Sequence, residues 1–150
     1  MQLPKKTAAI TPHLTVRDVD AAAKFYEKAF GFARKLALQG AGGRIMHAEV
    51  SHDNCTVMIG PESRERGMLA PISSGGSPVS IFVYVADVDK THARAVAAGA
   101  KELMPPSEQF FGARTSLLLD PDGHQWMLAQ HKKELSLQEM TKAAARAMST

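Results

Sequence analysis

Val16-Arg17-Asp18-Val19-Asp20 recurs as Val85-Ala86-Asp87-Val88-Asp89, a shift of 69 residues. Each copy follows a run of alternating polar and apolar residues. Each precedes an alanine-rich stretch that ends at a glycine, Gly31 in the first case and Gly99 in the second. A five-residue echo alone is weak, but an echo with matched surroundings on both sides reads as a repeated structural unit.

Working outward from the first copy, residues 11–16 alternate as a half-buried strand does. Asp18 stands at the N-cap position, where a carboxylate accepts from the unpaired N–H groups of the first helical turn. Val19, Ala22, Ala23, Tyr26, Ala29 and Phe30 then follow at helical spacing and form one apolar stripe. Phe25 and Tyr26 are core positions on this reading. Gly31 stops the helix, because glycine enters the left-handed conformation freely. In the second copy, residues 79–85 make the strand and Asp87 the cap; Val88, His92, Ala95, Val96 and Gly99 make the inner stripe.

Three more strand-like runs follow each helix. In the first half they are 32–39, 44–51 and 55–60, separated by Gly40-Ala41-Gly42-Gly43 and His52-Asp53-Asn54. In the second half they are 101–104, interrupted by Pro105-Pro106, then 114–119 and 125–130, with Asp120-Pro121-Asp122-Gly123 as a strong turn. The order is therefore β-α-β-β-β twice, an α+β chain of one domain over 1–150. Module one covers about 8–60 and module two 79–131. Residues 61–78, rich in Gly, Ser and Pro, read as a surface connector with the character of a lid. Ser136-Leu137-Gln138-Glu139 has the spacing of a capping box, with Leu135 and Met140 as its hydrophobic staple, and opens a C-terminal helix over 135–148. Its apolar face of Leu137, Met140, Ala144 and Ala147 needs the body or a second chain to dock on.

Composition narrows the function classes. The 150 residues are 45% hydrophobic and 22% charged, as in ordinary soluble domains. No apolar run is long enough to span a bilayer, so no membrane partner is expected. Met1 to Lys6 has a positive start with no apolar stretch behind it, and a signal peptide is not expected. The lone Cys55 fits a reducing, cytoplasmic setting and reads as a small core residue. The net charge of +3 is dispersed, with only Lys5-Lys6 and Lys132-Lys133 as pairs, which gives nucleic acid no basic stripe to follow.

Several segments together resemble the glyoxalase/bleomycin-resistance/dioxygenase (vicinal oxygen chelate) superfamily, and more narrowly its PhnB-like branch. They are Thr11-Pro12-His13-Leu14, Phe25 to Gly31, His47-Ala48-Glu49, Val83-Tyr84-Val85 and Ala97-Ala98-Gly99-Ala100. Phe110-Phe111-Gly112-Ala113-Arg114 and Asp120-Pro121-Asp122-Gly123-His124-Gln125-Trp126 complete the series. The resemblance implies that the two βαβββ modules form a curved mixed sheet around a cup, in a homodimer. It also implies four metal-ligand positions, which fall here on Thr11, Glu49, Ser80 and Met127; the repeat supports that register, since Thr11 shifted by 69 is Ser80.

Of those four only Glu49 is a strong ligand for a divalent ion. The expected cup therefore carries no resident cofactor, and the glyoxalase reaction loses its Lewis acid. A shifted divalent-metal set is the alternative. His13 shares a strand face with Thr11, and His47 with Glu49, so His13, His47 and Glu49 form a second candidate triad. Arg114, beside a glycine that lets a ligand approach the backbone, suits an oxyanion. The branch usually has tryptophan at 111 and aspartate at 113; Phe111 and Ala113 stand there, leaving Arg114 without that partner. Phe82, Phe111 and Met127 read as apolar walls and Trp126 as core. His124 reads as bonding its own turn; His52, His92 and His131 read as exposed or helix-facing. Three functions follow: a binder that sequesters a toxic small molecule, a metal-dependent lyase, isomerase or dioxygenase on the shifted set, or a metal-free acid–base enzyme using Glu49 and His47.

Overall fold

A computed structural model describes residues 8–148. Module one runs β1 (His13–Val16), α1 (Val19–Phe30), β2 (Ala33–Gln39), β3 (Ile45–His52) and β4 (Cys55–Pro61). After the short connector helix α2 (Pro71–Ser74), module two runs β5 (Ser80–Tyr84), α3 (Val88–Ala97), β6 (Lys101–Glu108), β7 (Ala113–Leu119) and β8 (Gln125–His131). The helix α4 (Leu137–Ala147) ends the series. The modules form two four-stranded mixed sheets of identical topology, β1-β4-β3-β2 and β5-β8-β7-β6. In each, the first strand pairs parallel to the last and the remaining ladders are antiparallel.

The repeat is also exact at the helix starts. Asp18 accepts from Ala21 N, and Asp87 from Lys90 N. Gly31 caps α1 at φ 73°, as the left-handed position demands. The α1 stripe is buried as expected, with Phe25 added to it. In α3 the buried set is Val88, Thr91, His92 and Ala95, while Val96 faces solvent.

A shared apolar core and a buried carboxylate join the two modules. Asp120, 5% exposed, accepts from Tyr26 Oη (2.6 Å), Trp126 Nε1 (2.9 Å), Asp122 N (2.9 Å) and His124 N (3.0 Å). Tyr26 comes from α1 and Trp126 from β8, and the indole packs among Tyr26, Phe30 and Phe32. Burial, with the nearby Asp120 charge, pushes the Tyr26 hydroxyl well above its usual pKa, so it stays a donor. Around this centre Arg17 binds Asp122 (2.8 Å) and His124 Nε2 donates to Thr15 O (2.8 Å). Arg94 Nε donates to Ala29 O (2.8 Å), and His52 Nε2 to Tyr84 O (2.8 Å). His124 therefore reaches across to module one, and does more than bond its own turn.

Three other expectations are corrected, and the inner-stripe place of His92 is borne out. The second strand of module two does not stop at Pro105-Pro106: β6 continues to Glu108 with register shifts around the prolines. It is an outer strand, and its ladder to β7 skips both prolines, passing from the Met104–Leu117 pair to the Ser107–Thr115 pair. Cys55 is exposed, because it opens β4 directly after the β3–β4 turn. The connector is tied down: Ala70 is wholly buried and donates to Glu62 Oε1, and Ile72 N donates to Asp122 O. His92 is buried, with Nε2 2.6 Å from Glu102 Oε2.

The capping box at Ser136 and Glu139 is present, while α4 itself buries no residue and leaves Leu137 78% exposed. Bonds from Ser136 hold the Glu139 carboxyl below its usual pKa. A depressed carboxylate pKa supports the folded helix above the unfolded value and loses that support as pH falls through the folded one. Acidification below the usual glutamate range is therefore expected to fray α4 before the body melts. Amide exchange at Ser136 and Glu139 measures this; equal protection at neutral and acid pH would contradict it.

Candidate functional site

In each sheet one face packs on the helices and the other turns away. In β3 the buried Ala48 and Val50 face α1, so His47 and Glu49 take the opposite side. In β1, Leu14 and Val16 are buried and His13 points away. Register then places His13 beside Met58, and Met58 beside Glu49.

Gly60 decides where the His13 ring goes. A Cβ on Gly60 would lie 2.9 Å from His13 Cε1 and 3.1 Å from Nε2, so the imidazole lies over a strand position with no side chain. It reaches across β4 to His47, the ring centroids 6.3 Å apart and the planes 23° from parallel. His47 Nε2 in turn stands 3.5 Å from Glu49 Oε1. His13 and His47 line a cavity of about 430 Å³, closed by Met46, Met68, Glu62 and Arg66. The thioethers and imidazoles give it soft, polarisable walls, and Glu62, Glu65 and Arg66 give it a rim of mixed charge.

The other predicted residues lie elsewhere. Ser80, Phe82 and Met127 belong to the second sheet, where Phe82 is the register partner of Met127 and Ser80 that of Gln125. Phe82 packs edge-on against Tyr84, at 5.3 Å. Phe111 packs edge-on against Phe110 in the turn before β7. The Thr11 hydroxyl donates to Ala8 O (3.1 Å). Among the described residues no hydrogen bond, ion pair or ring contact joins His13, His47 and Glu49 to Ser80, Phe82 and Met127.

Arg114 does not stand free. It shares a side of β7 with the buried Ser116 and Leu118 and makes two 2.8 Å bonds to Asp89 of α3, with Glu108 at 3.5 Å. Those bonds hold the Asp89 carboxyl below its usual pKa. The carboxylate partner of Arg114 thus comes from a helix, which a strand-based reading does not foresee. Gly112 likewise serves the chain's own tail: its carbonyl accepts from Lys132 N and Lys133 N, and its Cα lies against Lys133 O.

The divalent ion implied by the resemblance does not fit the four equivalent positions. Thr11 and Ser80 offer neutral hydroxyls, the first already donated to a carbonyl, and Met127 offers a thioether. Among the described residues no three of His, Cys, Asp and Glu come together as a metal group, His13, His47 and Glu49 included. Gly60, Met46 and Met68 are site residues that the sequence reading missed. A glycine inside a strand was the available signal, since it marks close approach of another group.

Two helix-backed sheets of matching order, β1-β4-β3-β2 and β5-β8-β7-β6, each with an open face, define a paired-module βαβββ architecture. The chain belongs to the Glyoxalase/Bleomycin resistance protein/Dioxygenase superfamily, whose model matches residues 7–128. It is 36% identical over 138 residues to the uncharacterised protein Mb0911c of Mycobacterium bovis, covering 90% of this chain and 91% of the relative. The crystal structure of TioX from Micromonospora sp. ML1 matches with a TM-score of 0.65 and 30% identity, over 83% of this chain and 98% of TioX. A family enzyme from Burkholderia phytofirmans PsJN shares the fold, with a TM-score of 0.63 and 20% identity over 83% and 96% of the two chains.

Proposed function

We propose that this chain is a small-molecule-binding member of the superfamily, of the PhnB-like branch, which sequesters a toxic compound in the cytoplasm as a homodimer. Its ligand lies against the open face of module one. The observation that carries this reading is the His13 ring held over Gly60 beside His47, at a cavity of about 430 Å³. That volume falls in the range of small-molecule sites. Ser80, Phe82 and Met127 provide a second, apolar face for the ligand in the assembled protein.

The test is a thermal-shift screen of untagged protein against aromatic and cationic toxicants, bleomycin among them. A ligand at a hundred times its Kd adds about 2.7 kcal/mol to the folded state. The shift is expected to survive chelator and to disappear in His47→Ala. A shift indifferent to both His13→Ala and His47→Ala would remove the binding site from this face. A divalent ion retained near one per chain, by elemental analysis, would replace the binder with metal-dependent chemistry on His13, His47 and Glu49.

The 3.5 Å approach of His47 to Glu49 favours one second reading, a metal-free acid–base enzyme. Glu49 would take a proton from carbon next to a carbonyl, with His47 positioning the carboxylate. Glu49→Gln then abolishes turnover, whereas a binder retains much of its affinity.

A further inference from the structure

A second cavity, of about 830 Å³, lies where the connector meets the open face of module two. Its walls are Ile72 and Pro78 from the connector and Leu103 and Leu119 from the sheet. Lys101 and Asp120 are its charged residues. Asp120 is not available to a ligand, because it is buried and already accepts from four donors. Lys101, at the start of β6, is exposed and has no carboxylate or hydrogen-bond partner among the described residues. The free charge of the cavity is therefore a single ammonium above an aliphatic wall.

The cavity is a built feature. Ile72 N donates to Asp122 O (2.9 Å), and the backbone of Ile72 sits so close to Gly123 that a Cβ there would lie 3.0 Å from Ile72 N. Gln125 Nε2 donates to Ser77 O, which fastens the other end of the connector to β8. The connector wall is thus fastened to the second sheet at two points, Ile72 and Ser77.

We infer that this cavity binds an aliphatic monocarboxylate, its carboxylate on Lys101 and its chain along Ile72, Leu103 and Leu119. One cation selects one anionic head, and the length of wall behind it selects an apolar body over a compact polar anion. The site shares no residue with His13, His47 or Glu49, so it stands whether or not module one binds as proposed.

Isothermal titration with decanoate, decan-1-ol and acetate tests this on the full chain. Decanoate is expected to bind saturably, decanol more weakly and acetate not at all. In Lys101→Met decanoate affinity falls about fivefold, the scale of one exposed ion pair, to the level of decanol, and decanol is unchanged. Lys101→Arg keeps decanoate binding. Ile72→Glu, on an exposed position that leaves the core intact, removes both ligands. No saturable decanoate binding to the wild type, or equal affinity in Lys101→Met, overturns the assignment; thermal melts of all three variants establish that they are folded.

Discussion

Asp120→Ala is expected to destabilise the chain by about 4 kcal/mol, because two buried side-chain donors lose their acceptor at roughly 1–3 kcal/mol each. For a protein of this length that lowers Tm by about 10 °C. The Tyr26 hydroxyl and the Trp126 N–H are enclosed by Phe30 and Phe32, where water does not replace the carboxylate. Asp120→Asn is the sharper variant. Its carbonyl keeps the backbone bonds from Asp122 and His124, while its amide faces Tyr26 and Trp126. A tyrosine hydroxyl rotates to accept; an indole N–H has no such option. Asn is therefore expected to recover only part of the loss, and Tyr26→Phe to cost about 1 kcal/mol. Urea denaturation measures all three. An alanine variant within 1 kcal/mol of wild type would show that the two modules do not depend on this carboxylate.

Gly112→Ala is expected to cost about 3 kcal/mol. The residue has φ 83°, where an L side chain is strained by about 1 kcal/mol. A Cβ there also runs into the Lys133 carbonyl oxygen, and backbone cannot give way as a side-chain tip does. Relief requires the tail to lift off, which breaks the bonds from Lys132 N and Lys133 N to Gly112 O. Each such bond contributes about 1 kcal/mol net. Hydrogen exchange reports the mechanism directly: both lysine amides lose protection in the variant. Gly42→Ala is the control, with φ 78° and nothing within 4 Å, so it carries only the backbone strain. If the two variants lose the same stability, the tail contact contributes nothing.

The fold was legible because repetition and periodicity report local geometry. The V-x-D-V echo, the Asp caps and the alternation in eight runs all answer to backbone rules that act within a few residues. The place of His13, His47 and Glu49 on the open side of the first sheet was legible for the same reason, though the three do not come together as a metal group among the described residues. What escaped the sequence was partnership over distance. Arg114 finds Asp89 from a helix 25 residues away, and Asp120 finds Tyr26 from 94 residues away. Nothing in a turn signature says which buried donors its carboxylate will serve. The glycines divide in the same way. Gly31 was readable as a helix stop, but the empty volume over Gly60 belongs to an imidazole from another strand.

The run of Pro105-Pro106 in β6 decides how copies of this chain can meet. An outer strand with a full row of free amides invites a neighbouring molecule to extend the sheet, and a proline in such a row has no N–H to give. The register shifts around them also bend the margin out of line. Strand addition is therefore disfavoured along this one margin, while β1, β2 and β5 are the other outer strands of the two sheets.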